Sequence, residues 1–316
     1  MSPLLAFLSL LAELGLGYPD RLFRAIGHPV TWLGRLIAFA DRRLNRATDS
    51  DLQRRTAGVV ALVLLVAVPA AASLMLETVL SGLPFGLLLS ALAASPLLAQ
   101  RSLGQHVQAV ADALETGGLA EGRKAVSMIV GRDPERLDEA GVCRAAIESL
   151  AENTSDGIVA PVMWGALLGL PGLAAYKAIN TLDSMIGHRT PRHEAFGWAA
   201  ARIDDLANLV PARLTALLFA LASGRPRRAL ACVIGDARKH RSPNAGWPES
   251  AMAGALGVRL SGPRIYAGRV ADEPWLNARG RDPEAADIAR ALAVYVRATG
   301  VLVALLAALL YGLSVQ

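Results

Sequence analysis

The chain alternates long apolar runs with polar stretches rich in arginine, and this pattern is the first guide to its architecture. The clearest run, Ala57–Leu80, is long enough to cross a bilayer as a helix. Further apolar runs cover residues 3–17, 82–99, 158–175, 206–222 and 291–313. Together they predict an all-α, multi-pass integral membrane protein with about five or six membrane segments. The first run is short, so it fits either a span or a helix at the membrane interface.

Composition and charge support the membrane interpretation. Hydrophobic residues make up 53% of the 316 residues and the mean hydropathy is +0.38, which is high for a soluble domain. The net charge is +5, and many arginines lie in the stretches 18–56, 101–156 and 223–290. By the positive-inside rule these stretches are cytoplasmic loops of one integral domain, residues 1–316, in the inner cell membrane.

Charge and cysteine content exclude other classes. The sequence shows no basic patch of the aromatic-interleaved kind and no nucleic-acid motif, so the expected surroundings are a lipid bilayer and no nucleic acid. Cys143 and Cys232 are isolated and lack metal-ligand spacing, which predicts two buried thiols.

One apolar run is interrupted. Residues 158–175 contain Pro161, Gly165, Gly169, Pro171 and Gly172, a pattern typical of a discontinuous or re-entrant membrane segment that lines a polar cavity. If the segment crosses fully, the polar residues before and after it lie on opposite sides of the membrane. We favour a re-entrant segment, or two half-helices, because both polar clusters then reach one cytoplasmic cavity.

The cluster before this segment is acidic. Glu148, Glu152 and Asp156 are spaced i, i+4, i+8, so a continuous helix would put them on one face. Three stacked carboxylates repel one another unless a cation lies among them. They are either a solvated acidic face or a site for Mg²⁺ or an ammonium group.

Polar residues also follow the broken segment at high density. They are Lys177, Asn180, Asp183, His188, Arg189, Arg192, His193 and Glu194, and the entrance of the next apolar run carries Arg202, Asp204 and Asp205. Such density beside an apolar segment favours a functional site, since buried polar groups need partners. A later stretch, Ser242–Gly257, suits a loop that enters a helix, with Glu249 in or near the first turn. Glu249 there is either a plain capping residue or part of a phosphate site.

These motifs together resemble one family. They are Glu148–Pro161, Tyr176–Gly187, Phe196–Asp205, Pro211–Thr215, Ser242–Gly257, and the opening Gly17–Asp20 and His28–Pro29 with Trp32, Gly34 and Arg35. In this order they are similar to the adenosylcobinamide-phosphate synthase family of cobalamin biosynthesis, the CobD/CbiB type. The resemblance extends over nearly the whole chain. It departs slightly at Pro248–Ala251, where Ser250 replaces an alanine.

The resemblance implies a membrane enzyme that joins a propionate carboxylate of adenosylcobyric acid to aminopropanol, or to its O-phosphate, through an amide. The family reaction is written with ATP, so ATP and Mg²⁺ are expected as co-substrate and ion, without a tightly bound prosthetic group. No Walker A loop or dinucleotide fingerprint is present, so a nucleotide site would be non-standard. An association with other late cobalamin-pathway membrane enzymes is a further expectation.

The expected roles follow from amide chemistry. Either Asp183 or Asp205 would take the proton of the amine, with Lys177 and Glu152 as further catalytic residues. The expected metal ligands are Glu148, Glu152 and Asp156. The expected substrate-binding residues, which hold phosphate or carboxylate groups or orient substrate by hydrogen bonds, are Asn153, Asn180, His188, Arg189, Arg192, Arg202, Asn244 and Glu249.

Two other classes remain open. A transporter of a small charged or corrinoid solute would also use broken helices and intramembrane charges, although no inverted repeat is visible. A membrane scaffold or sensor would hardly need such dense polar clusters. The sequence does not select the phosphorylated or the free amine, and it leaves the oligomeric state open.

Overall fold

Helices dominate the computed structural model, which describes residues 2–130, 134–266 and 269–315 and is 79% helical. In chain order the α-helices are α1 (Ser2–Leu16), α2 (Asp20–Ile26), α3 (Pro29–Leu44), α4 (Asp51–Ser81), α5 (Gly86–Ala94), α6 (Gln100–Ser127), α7 (Glu139–Thr154), α8 (Ala160–Ile186), α9 (Trp198–Ala207), α10 (Leu209–Ala222), α11 (Pro226–Asp236), α12 (Gly246–Leu256) and α13 (Ala285–Ser314). A π-helical turn, Ser155–Val159, lies between α7 and α8. The all-α prediction is confirmed.

Four short strands lie within the stretch 223–290, which the sequence predicts to be a cytoplasmic loop. They are β1 (Leu260–Ser261), β2 (Arg264–Tyr266), β3 (Arg269–Ala271) and β4 (Trp275–Leu276). β1 pairs antiparallel with β4, so that Leu260 lies opposite Leu276, and β2 pairs antiparallel with β3. Strands of two or three residues are too short to produce an alternating pattern in the sequence.

Several helices are long and apolar enough to cross a membrane. Within the described residues these are Asp51–Ser81, the helical stretch Glu139–Ile186 and Ala285–Ser314, or up to five spans if two bent helix pairs each count as one. This agrees with the lower end of the predicted number. The run 82–99 differs from the prediction, because it forms only the nine-residue α5 and a 3-10 turn. Nine helical residues extend about 14 Å, well short of a bilayer core.

The chain divides into two compact units. The first contains residues 1–99, 160–208 and 306–316, and the second contains residues 100–159 and 209–305. Each unit therefore draws on separate stretches of the sequence. The assignment of residues 1–316 to one domain stays a prediction.

In the first unit, α8 is the central helix and packs against α1, α3, α4, α5 and α9. Its buried residues Leu182 and Ile186 join Ile37 of α3, Leu62 of α4 and Phe196 in one apolar cluster. Gly58 of α4 allows a close approach, since a Cβ there would lie 1.9 Å from the Phe196 carbonyl oxygen. This packing fixes the end of α8 that carries the polar residues of the predicted site.

α8 contains the interruption that the sequence predicts. Gly169 has φ 71° and ψ −159°, which breaks the helical backbone two residues before Pro171. A Cβ on Gly169 would lie 2.9 Å from one carboxylate oxygen of Glu77. Both the positive φ and this close approach favour glycine at the position. The prediction of a broken segment is confirmed, whereas re-entry stays a prediction.

In the second unit, α12 is the central helix and packs against α7, α10 and α11. All of its residues except Trp247 are buried. Glu249 lies in its first turn, as the sequence predicts, and Gly257 ends the helix in the left-handed conformation. Both cysteines are buried free thiols, as expected, and burial raises the pKa of the Cys232 thiol to about 12.

Candidate functional site

The first unit brings a group of polar side chains together on two packed helices. Tyr176, Asn180 and Asp183 lie on the C-terminal half of α8, and Asp204 lies on α9, which packs against α8. Asn208 follows α9 directly. The spacing of three to four residues along each helix explains why these side chains share a face.

A chain of hydrogen bonds links these residues. The buried Tyr176 hydroxyl donates to Asn208 Oδ1 at 2.8 Å, and Asn208 Nδ2 donates to Asp204 Oδ2 at 3.0 Å. The side chain of Asn180 lies beside the Asp204 carboxyl group. Asp204 is 8% exposed, and its second oxygen, Oδ1, is buried without a hydrogen-bond partner in the part of the chain that the structure describes. A carboxylate oxygen in that position is ready to accept a hydrogen bond from a ligand.

A second carboxyl group lies next to Asp204. Asp183 is within electrostatic range of Asp204 and Asp205, and His188 also acts on it. The Asp183 carboxylate covers Gly187, where a Cβ would lie 1.9 Å from Oδ1. Two neighbouring carboxyl groups at a partly apolar site need a cation, a shared proton or a donor between them. This arrangement suits an ammonium group or a proton that must be removed from an amine.

The structure separates Asp204 from its neighbour Asp205. Asp205 is partly exposed and forms an ion pair with Arg202 of the preceding turn at 3.3 Å. The sequence indicates Asp183 or Asp205 as the base, and that choice stays a prediction. Of the two adjacent acids of α9, Asp204 occupies the buried position at the centre of the hydrogen-bond chain. Adjacent acids point to different faces of a helix, so only the packing of α9 distinguishes them. The i, i+4 relation between Asp204 and Asn208 is the sequence signal that could have identified Asp204.

The loop after α8 is held in place by ion pairs. Arg192 donates from Nε and Nη2 to Asp41 Oδ2 at 2.9 and 2.7 Å, and His193 Nε2 lies 3.5 Å from Asp41 Oδ1. Asn45 donates to the Arg192 carbonyl oxygen at 2.9 Å, and Arg54 donates to Asn45 Oδ1 at 2.8 Å. Arg192, predicted to bind substrate, is thus engaged in anchoring this loop.

The anchored loop carries two further residues of the predicted site. His188 and Arg189 are exposed, and Arg189 acts electrostatically on Asp205. Lys177 is half-buried on α8. Fixing the loop to α3 and α4 therefore keeps His188 and Arg189 within electrostatic range of Asp183 and Asp205.

The opening motif of the chain also reaches α8, which sequence reasoning did not assign to the site. His28 caps α3 by accepting from Val30 N at 3.2 Å, and the Tyr18 ring contacts its imidazole edge-on at 4.6 Å. His28 interacts electrostatically with Lys177. No periodicity connects residues so far apart in sequence, so this proximity depends on tertiary packing alone.

The acidic series of the second unit differs from its prediction. Glu148 is buried and accepts from Ser261 N at 2.6 Å, Glu152 is exposed and Asp156 is half-buried. Glu148 and Glu152 both lie in the regular helix α7 and differ in burial, whereas Asp156 lies in the π-helical turn, which alters its position around the helix. The three carboxylates therefore do not share one environment. Within the described ranges no group of three or more His, Cys, Asp or Glu side chains is arranged to hold a metal ion.

Other predicted residues of the second unit have local partners. The exposed Asn153 donates to Ser149 O at 2.9 Å. Asn244 is buried and accepts from Arg213 at 3.3 Å. Glu249 is buried and lies 3.8 Å from Nε2 of the buried His240 side chain.

The site residues thus fall into two groups. The first unit contains Lys177, Asn180, Asp183, His188, Arg189, Arg192, Arg202 and Asp205. The second unit contains Glu148, Glu152, Asn153, Asp156, Asn244 and Glu249. A cavity shared by Glu152 and Asp183 stays a prediction.

Comparison with known proteins gives one consistent result. The family model described as CobD/Cbib protein matches residues 6–295. The chain belongs to the CobD/CbiB family. Among its relatives, the cobalamin biosynthesis protein CobD of Rhodobacter capsulatus is 60% identical over 287 residues, 90% of each chain. That of Rhizobium meliloti is 50% identical over 307 residues, 95% of this chain and 94% of the relative. No solved structure matches the chain.

Family membership assigns the chain a role in cobalamin biosynthesis. The resemblance noted on the motifs is therefore confirmed. It is also consistent with the helical membrane architecture, since apolar helices extend through the stretch that the CobD/CbiB model covers.

Proposed function

We propose that this chain is an adenosylcobinamide-phosphate synthase. It forms an amide between the propionate carboxylate of adenosylcobyric acid and the amine of (R)-1-aminopropan-2-ol O-phosphate, or of free aminopropanol. Membership of the CobD/CbiB family supports the pathway. The observation that carries the chemistry is the buried Asp204 carboxyl group beside that of Asp183; Asp204 Oδ1 has no hydrogen-bond partner among the residues that the structure describes.

A carboxylate does not react with an amine until it is activated. In the proposed reaction the γ-phosphoryl group of ATP is transferred to a propionate oxygen, and ADP leaves. The amine nitrogen then attacks the carbonyl carbon of the acyl phosphate, the C–N bond forms, and the C–O bond to phosphate breaks. The amine loses one proton in this step, so a base must be close to the nitrogen.

Asp183 and Asp204 are the proposed binding site and base for the amine. The ammonium form of the amine would donate hydrogen bonds to both carboxylates. One carboxylate takes the first proton and releases the neutral amine that attacks, and the second proton, lost as the amide forms, passes to the other carboxylate or to the departing phosphate. Tyr176 and Asn208 hold Asp204 from the opposite side through the hydrogen-bond chain. This positioning leaves Oδ1 available for the substrate.

Cationic side chains of the same unit are proposed for the anionic groups. Lys177 is half-buried, and Arg189 is exposed on the anchored loop, so both can neutralise phosphate or carboxylate oxygens. Mg²⁺ is proposed to arrive with ATP, bound mainly by phosphate oxygens. The described residues do not form a ready-made metal site, so no step is assigned to a protein-held ion.

The proposed location is the inner cell membrane, where the apolar helices span the bilayer and the reaction occurs on the cytoplasmic side. An association with other late cobalamin-pathway membrane enzymes is proposed as well. The exposed apolar faces of α4, with Val63, Val68 and Met75 more than half exposed, suit contact with lipid.

The test is mass spectrometry of the corrinoid after incubation of purified, detergent-solubilised protein with adenosylcobyric acid, ATP and each amine. We expect an amide product, with ATP consumed only when acid and amine are both present. Transport of a corrinoid into proteoliposomes without any amide product would contradict the proposal and favour a carrier.

A further inference from the structure

Arg213 has an unusually well-defined position in an apolar helix, α10. Its guanidinium carbon lies 4.2 Å from the centre of the Trp247 ring, and Nη1 donates to Leu209 O at 2.7 Å and to Asn244 Oδ1 at 3.3 Å. The Trp247 indole is itself held by a hydrogen bond to Pro243 O at 3.2 Å. The guanidinium plane is therefore fixed by stacking and by one of its nitrogens.

The positive charge of Arg213 has no carboxylate partner. Within the residues that the structure describes, neither Arg213 nor Arg238, which acts on it electrostatically, forms an ion pair. The next residue, Lys239, is in contrast neutralised by Asp236 at 2.6 Å. Arg238 acts on Arg213 as a like charge, and an anion bound at Arg213 would offset that repulsion.

The geometry selects the class of anion. With Nη1 engaged, the edge of Arg213 formed by Nε and Nη2 remains for paired hydrogen bonds to two oxygens of one group. Asn244, which orients Arg213, lies in a turn fixed by Ser242 Oγ, the acceptor of a bond from Asn244 N at 3.2 Å. A phosphate group offers two oxygens to this edge and enough negative charge to offset the arginine charges.

We propose that Arg213, stacked on Trp247 and oriented by Asn244, binds the terminal phosphate of a soluble phosphate ester, with Arg238 as a further positive charge in its surroundings. Two such esters belong to the proposed reaction, ATP and the amino-alcohol phosphate, and the choice of probes rests on that proposed function. Trp247 and Asn244 position the Arg213 guanidinium, and neither residue contributes a charge to the site.

The test measures binding without turnover. Isothermal titration of the detergent-purified full-length chain uses (R)-1-aminopropan-2-ol O-phosphate, ATP and unphosphorylated aminopropanol as separate probes, with no corrinoid present. Arg213→Gln removes the charge, Arg213→Lys keeps the charge but loses the paired donors, and Arg238→Gln removes the second cation. The control is Arg227→Gln, because Arg227 is an exposed arginine of the same unit in a separate depression of about 530 Å³ lined by residues 224–228.

We expect Arg213→Gln to weaken binding of at least one phosphorylated probe by about tenfold or more, as loss of a charge-assisted hydrogen bond predicts. Arg213→Lys and Arg238→Gln should each weaken it several-fold, and Arg227→Gln should leave it unchanged. The probe affected distinguishes the nucleotide from the amino-alcohol phosphate, and either result supports the site. Binding of unphosphorylated aminopropanol should be the same in all variants.

Three results would overturn the proposal. One is equal affinity in Arg213→Gln and the unsubstituted chain, and another is an equal loss in the Arg227→Gln control. The third is displacement of the effect by phosphatidylglycerol in mixed micelles, which would assign the arginines to a lipid headgroup. Equal thermal unfolding of the Arg213→Gln and unsubstituted chains in detergent guards against loss by misfolding. Amide formation from unphosphorylated aminopropanol by the Arg213→Gln variant tests the proposed function separately. If it continues, the proposed function stands, and the binding measurements alone determine whether Arg213 binds phosphate.

Discussion

Asp204 offers the sharpest test of the candidate site, through the substitution Asp204→Asn. An asparagine there can still accept the hydrogen bond that Asn208 Nδ2 donates at 3.0 Å. Its amide nitrogen would replace the unpartnered Oδ1 and could donate to Asp183. We therefore expect the free energy of unfolding to change by no more than about 1 kcal/mol, the net contribution of one hydrogen bond.

Catalysis should respond much more strongly than stability. The substitution removes one of two carboxylates proposed to bind the amine and accept its proton, and loss of a general base lowers rates by roughly 10²–10⁴-fold. The assay is the initial rate of amide formation, followed by mass spectrometry over a range of amine concentrations. A lower kcat would indicate a role as base, and a higher KM alone would indicate a role in binding the ammonium group.

The matched control is Asp205→Asn, which makes the same chemical change on the next residue. Asp205 is partly exposed and paired with Arg202, so we expect a rate within about tenfold of the unsubstituted chain and a small loss of stability. A normal rate in Asp204→Asn together with a large loss in Asp205→Asn would refute the assignment of the buried acid.

Two further predictions concern the two units separately. Gly169→Ala should destabilise the chain by about 1–2 kcal/mol or more, because φ is +71° and the new Cβ would meet the Glu77 carboxylate. Thermal unfolding in detergent measures the loss of stability, with Gly300→Ala as the control. No atom lies within 4 Å of a Cβ added at Gly300, so this variant should gain about 0.5–1 kcal/mol of stability. Equal changes in stability in the two variants would contradict the argument. In the second unit, hydrogen bonds from Arg259 at 2.6 and 2.8 Å, with the charge of Arg144, hold the pKa of Asp282 below its ordinary value. A carboxyl group whose pKa is lower in the folded state stabilises at neutral pH, and that contribution is lost as pH falls through the lowered pKa, below about 4. Asp282→Asn should therefore lower the Tm at pH 7, by the equivalent of at most about 1 kcal/mol for a 43% exposed group, and the difference should vanish below that pH. A difference that persists unchanged in acid would exclude the ionic explanation.

Much of the helical architecture was predictable from local pattern. The run Ala57–Leu80 lies within α4 and the run 291–313 lies within α13, because a long apolar stretch in a membrane must satisfy its backbone hydrogen bonds as a helix. The interruption at Gly169 was predictable for a related reason, since glycine and proline disfavour a continuous helix. The motifs were specific enough to indicate the CobD/CbiB family before any comparison.

Other features could not be obtained from local pattern. The run 82–99 is as apolar as a membrane span but contains only a short helix. Apolar sequence alone does not distinguish a span from a short helix or loop that neighbouring helices bury. The series Glu148, Glu152 and Asp156 has ideal helical spacing, but the π-helical turn and the contact with Ser261 separate the three environments. Spacing rules assume a regular helix, and they fail where the backbone departs from it.

The sequence by itself determined that the chain is helical, inserts in a membrane, breaks one segment at glycine and proline, and concentrates polar residues after that break. These properties follow from the local balance between apolar burial and backbone hydrogen bonding. Only the tertiary structure decided that Asp204 and not Asp205 is buried, that Arg192 anchors a loop to Asp41, and that Arg213 stacks on Trp247. Those outcomes depend on which helix faces meet, and that choice is made by packing between residues far apart in the chain.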